Sequence, residues 1–195
     1  MARKKTASRS TLSAVRKTPT GISGFDEMLE GGVPRGRALL IAGAAGAGKT
    51  VFMNEFLYRG IQAFGEPGVL VTFEESPDDI AHNVAGFGWD YAGLIRARRL
   101  AIVDATPPAG TERETDGEYD LEPLFLRIRA AARRVRAKRL VLDGMEGLYA
   151  RLSNEDAVRD LLLRLSAEAR SLGLTTMVAA ERLASGATRH GVEDF

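Results

Sequence analysis

The chain has 195 residues, of which 45% are hydrophobic and 27% charged, with no cysteine and a net charge of +1. That length suits one α/β domain with a sizeable core, and the balance is that of a soluble globular protein. No global field draws it to nucleic acid or lipid, and disulfides, thiolate metal sites and cysteine nucleophiles are excluded.

Residues 1–17 carry Arg3, Lys4, Lys5, Arg9, Arg16 and Lys17 with no acid and few large apolar residues, the composition of a flexible basic tail. The tail lacks the apolar core of a secretory signal and no run approaches 18 apolar residues, so a cytoplasmic location without a membrane span is expected. "TGISGFDEMLEGGVPRGR" reads as a turn, a short helical piece around Phe25 to Leu29, and a glycine–proline turn. "RALLIAG" is an apolar strand. Phe52, Met53, Phe56, Leu57 and Ile61 then recur at helical spacing up to the breaker "FGEPG". "VLVTFEE" (69–75) is the next strand, and "SPDD" opens a helix with Ser76 as N-cap and Pro77 at its first position.

A short helix around Tyr91 to Ala97 leads to the strand "LAIVDA" (100–105), and residues 107–120 are polar enough for a surface loop. Over 121–138, Leu121, Leu124, Phe125, Ile128, Ala132 and Val135 share one helix face, with Arg127, Arg133, Arg134 and Lys138 on a solvated opposite face. "RLVLD" (139–143) is a strand, "SNEDAVRDLLLRLSAEARSLG" a capped helix ended by Gly173, and "TTMVAAE" (175–181) the last strand. Apolar strands alternating with helices predict an α/β fold, a mostly parallel twisted sheet flanked by helices on both faces. Nothing follows the last strand to close the sheet, so an open edge is expected there, covered by another subunit or by strands of a longer chain.

"GAAGAGKT" (43–50) stands between a strand and a helix and fits the Walker A phosphate loop. Gly43, Gly46, Ala47 and Gly48 supply inward-facing amides, Lys49 reaches phosphate oxygens, and the Thr50 hydroxyl is placed to ligate Mg²⁺. Asp143, ending an apolar strand expected to neighbour the strand before the loop in the parallel sheet, is the Walker B candidate for the same metal. Glu74 and Glu75 end another strand; a glutamate near a γ-phosphate can orient and deprotonate water.

These segments, with "FGWD" and "RHGVEDF", resemble the KaiC family of RecA-like ATPases, most closely its first, hydrolytic domain, over residues 18–195. The resemblance implies ATP and Mg²⁺ as ligands, Glu74 as the catalytic glutamate with Glu75 beside it, and Gly86 as a backbone contact near the adenine or ribose. It also implies a hexameric ring with ATP between subunits, clock or signalling partners, and Arg182 or Arg189 near a neighbour's nucleotide. Family clock proteins carry two tandem copies, the second an autokinase; this sequence has one Walker loop and supports hydrolysis. The alternative is a RecA- or RadA-like DNA-dependent ATPase, for which "GMEGLYARLSNED" offers Tyr149 and Arg151 but no dense basic–aromatic pattern, so DNA binding is not expected. A third possibility is a nucleotide-gated scaffold with negligible hydrolysis.

Overall fold

The computed structural model describes residues 15–106, 121–149 and 155–182. The basic segment up to residue 14, the loop 107–120, Arg151, the first residues of "SNEDAVRDLLLRLSAEARSLG" and the "RHGVEDF" segment with Arg189 lie outside the described residues.

A short ribbon comes first. Strand β1 (Lys17–Thr18) pairs antiparallel with β2 (Val33–Pro34), with helix α1 (Phe25–Met28) between them. Lys17, assigned to the flexible tail from sequence, therefore belongs to the fold, and its Nζ donates to the Leu29 and Glu30 carbonyls at 2.6 and 3.0 Å.

Five parallel strands form the main sheet: β3 (Ala38–Gly43), β4 (Gly68–Thr72), β5 (Leu100–Asp104), β6 (Arg139–Asp143) and β7 (Thr175–Glu181), in the order β3-β7-β6-β4-β5. Helices α2 (Lys49–Phe64), α3 (Pro77–Ala85) and α4 (Tyr91–Arg96) cover one face. The other carries α5 (Glu122–Val135), α6 (Met145–Tyr149) and α7 (Glu155–Ser171). Strand side chains alternate between the two. Val69, Val71, Leu140 and Leu142 pack with Phe125, Ile128 and Leu161, while Leu70, Val141 and Met177 pack with Met53, Phe56 and Ile80. Two buried faces explain why these strands read as continuous apolar runs. The predicted apolar face of α5 is buried from Leu124 to Val135, and Arg127, Arg133, Arg134 and Lys138 are exposed.

Three expectations change. The last strand, β7, is interior; the described sheet edges are β3 and β5. Strand β3, apolar throughout, is consequently not buried on both faces: its residues alternate between exposed and half-buried, with Leu40 36% exposed. The "VLVTFEE" strand stops at Thr72, because the Thr72 hydroxyl donates to Glu75 O (2.8 Å) and accepts from Glu75 N (3.1 Å), folding Phe73–Glu75 into a bend. Finally, the strand carrying Asp143 does not adjoin the strand before the glycine loop; β7 lies between them.

At the amino end of the sheet, Arg139 is fully buried. Its guanidinium donates to Glu66 (2.9 Å) and to the carbonyls of Phe56 (2.8 Å), Thr20 (3.3 Å) and Pro19 (2.5 Å), and it lies 4.4 Å from the Phe56 ring centroid. The Arg139 clasp pins the N-terminal segment, and Asp26 completes it by accepting from Thr20 N, the Thr20 hydroxyl and Gly21 N at 2.7 to 2.8 Å. Phe25 is thereby held edge-on against Phe52 of α2, with centroids 5.0 Å apart.

Candidate phosphate-binding site

The loop from Gly43 to Thr50 leaves the carboxyl end of β3 and enters α2 at Lys49. Gly46 and Gly48 have φ of +73° and +85°, a left-handed conformation that glycine adopts without strain and that turns successive amides inward. At Gly43 a side chain would be crowded: a Cβ there would lie 3.2 Å from Ala47 Cβ and 3.5 Å from Lys49 Cγ. Lys49 Nζ is folded onto the loop, donating to the Gly43 and Ala44 carbonyls at 2.9 and 3.0 Å. Phe25, Leu40, Ile41, Ala42, Lys49 and Phe52 line a groove along this loop.

Although β7 lies between their strands, the Thr50 side chain faces the Asp143 carboxylate and helps lower its pKa, and that carboxylate accepts from Gly144 N at 3.1 Å. Burial pushes the Asp143 carboxyl pKa up, these two donors pull it down, and the charges of Glu75 and Glu146 raise it further, for a net rise. Glu74 is placed against the next residue: a Cβ on Gly144, whose φ is +71°, would lie 3.0 Å from Glu74 Cγ. Glu75 accepts from Asn83 Nδ2 of α3 at 2.9 Å. The structure thus brings together the loop, Lys49, Thr50, Asp143, Glu74 and Glu75. Gly86 is not joined to them by any described contact. It caps α3 at the end opposite Glu75, about 14 Å along the helix, with an ordinary right-handed φ of −60°.

Among the described residues, no three His, Cys, Asp or Glu side chains group so as to hold a metal by themselves. Thr50 and Asp143 still fit Mg²⁺, which takes one or two protein oxygens and completes its shell with phosphate and water. Arg182 donates its backbone N–H to Gly43 O at 3.0 Å, so its main chain abuts its own loop. Tyr149 is 3% exposed and cannot stack on a nucleic-acid base.

Sequence reading missed Glu146, whose Oε1 is buried with no hydrogen-bond partner among the described residues, and the buried pair Asn54 and Tyr91. Glu146 stands three residues beyond Asp143, a spacing that returns a helical side chain to the same end of the strand. Asn54 was detectable as the single amide within the apolar run of α2. No described helix is long and apolar enough to cross a membrane.

The family model described as "ATPase: KaiC" matches residues 18–195. The circadian clock oscillator protein KaiC of Parasynechococcus marenigrum is 43% identical over 97% of this chain and 37% of its own length. Circadian clock proteins KaiC2 and KaiC3 of Synechocystis are 45% and 44% identical over 92% and 93% of the chain, which spans 31% and 36% of theirs. The chain therefore spans about a third of the length of these relatives. The matched region spans the parallel sheet and the glycine loop, and the chain belongs to the KaiC ATPase family.

Proposed function

We propose that this domain binds ATP with Mg²⁺ and hydrolyses it slowly, as one subunit of a hexameric ring serving clock-type or signalling partners. The observation that carries the reading is the convergence of the glycine loop, whose Gly46 and Gly48 have left-handed φ, with the Asp143 carboxyl end of β6, close enough for the Thr50 side chain to act on the acid. The amides of Gly43 to Gly48 cradle the phosphates, and Lys49 exchanges its loop carbonyls for phosphate oxygens. Thr50 and Asp143 would hold Mg²⁺, which would supply neutralisation of charge on the phosphate oxygens. Glu74 orients a water in line with the γ-phosphate and takes its proton as the new P–O bond forms; the β–γ bridge bond breaks and ADP leaves with the electron pair. Glu75, tethered to Asn83, fixes the bend that presents Glu74. The ring and the clock role rest on the family and on the names of its relatives.

The test is Glu74→Gln. Nucleotide binding is expected to stay and turnover to fall about 10²- to 10⁴-fold, the usual range for a general base. Phosphate release at the parent rate would remove Glu74 from that role.

A further inference from the structure

Beneath the loop, a buried polar chain crosses an otherwise apolar cluster. Asn54 is fully buried in α2 among Met53, Phe56, Leu57, Ile80 and Leu94. Its Nδ2 donates to Thr50 O at 2.8 Å, one turn back along the helix. Its Oδ1 accepts from the Tyr91 hydroxyl at 2.7 Å, and that hydroxyl also lies 3.1 Å from Asn54 O. Tyr91, 1% exposed, opens α4. Thr50, at the other end of the chain, is the residue whose side chain acts on the Asp143 carboxylate and lowers its pKa.

Stability alone does not explain this arrangement. Asparagine is a poor interior helix residue because its amide competes for backbone groups. An aliphatic side chain at position 54 would suit the surrounding cluster without polar atoms to satisfy. Local rules broken in this way concentrate where a site needs a fixed geometry. Every side-chain heteroatom of the pair is used, and the far end is the carbonyl of the residue whose hydroxyl meets Asp143. The tyrosine is a permanent donor: burial, with the Asp143 charge adding, holds its pKa far above the usual phenol range.

We propose that Asn54 and Tyr91 are positioning residues that lock the first turn of α2 so that the Thr50 hydroxyl is aimed at Asp143 and at the metal those two residues hold. Neither side chain touches nucleotide. Their effect is on the coupling between metal and nucleotide, and the inference rests on the Mg²⁺–ATP reading above.

The experiment measures the affinity of a fluorescent ATP analogue for the full chain in EDTA and across a Mg²⁺ titration. The variants are Tyr91→Phe and the all-apolar double variant Asn54→Leu/Tyr91→Phe. Tyr91→Phe should leave affinity in EDTA near the parent value and raise the Mg²⁺ half-saturation about 10- to 100-fold, as loss of an outer-shell partner does. The double variant removes both polar partners and should recover thermal stability without recovering Mg²⁺ half-saturation. If it recovers both, the pair is only a packing feature and the proposal fails. Parent-like Mg²⁺ response in both variants would also overturn it. A parent protein that binds no nucleotide in either condition would instead overturn the Mg²⁺–ATP reading itself.

Discussion

Gly60→Ala inside α2 is expected to destabilise the domain, although the same change in an ordinary helix interior stabilises by about 1 kcal/mol. Gly60 faces the clasp: a Cβ there would lie less than 3.0 Å from Nε, Cζ and Cδ of Arg139. The guanidinium cannot yield cheaply, since it is fully buried, ion-paired to Glu66 at 2.9 Å and bonded to three backbone carbonyls. Breaking a buried pair on one side costs about 3–5 kcal/mol, so after the helix gain the net loss is about 2–4 kcal/mol. Urea unfolding should show a lower midpoint with an unchanged slope. The decisive control is the Arg139→Ala background, where Cδ, Nε and Cζ are all removed and Gly60→Ala should turn neutral or stabilising. An unchanged or higher midpoint for Gly60→Ala in the parent would refute the steric reasoning. So would an equal loss in both backgrounds.

Asp26 gives a pH dependence. Burial opposes its ionisation, but hydrogen bonds from Thr20 and Gly21 and the Arg139 charge outweigh it and lower its pKa below 3.8. Its stabilising share is therefore full above the unfolded value and lost as pH falls through the depressed folded one. Asp26→Asn should melt below the parent at neutral pH, the gap closing in acid; a constant gap would assign the effect to packing. Asp143→Asn should raise the melting temperature of the metal-free protein at neutral pH, because it removes a buried charge crowded by Glu75 and Glu146, while abolishing the Mg²⁺ effect on nucleotide affinity. A lower melting temperature would show that the Thr50 and Gly144 donors outweigh that crowding.

Period and punctuation made most of the architecture legible. Five apolar runs became the five strands of the main sheet, and Ser76 caps α3 by accepting from Asp79 N at 3.1 Å, as Ser-Pro-Asp-Asp implied. Strand order was beyond local pattern: an edge strand such as β3 and an interior one such as β7 read equally apolar, because a neighbour chosen by tertiary packing decides exposure. The loop, Thr50 and Asp143 were readable because a phosphate cradle demands particular residue types at fixed spacing. The pairing of Asn54 with Tyr91 was not: 37 residues separate them, and only the packing of α4 on α2 brings hydroxyl and amide together.

The two ends of the sheet divide the work between them. At the carboxyl end, Asp143, Glu75 and Glu146 raise one another's energy, and Glu146 Oε1 is buried without a described partner. At the amino end, Arg139, Glu66 and Asp26 form a closed set of opposite charges over the N-terminal segment. A cluster of like charges is tolerable only if stability comes from elsewhere, and the clasp supplies it at the far end of the same strands: β6 begins at Arg139 and ends at Asp143. One five-residue strand thus begins at the clasp arginine and ends at the crowded acid. Pairing in register with Thr72 of β4 holds the Asp143 backbone in the sheet despite the repulsion, which a loop-borne acid would relieve by turning into solvent.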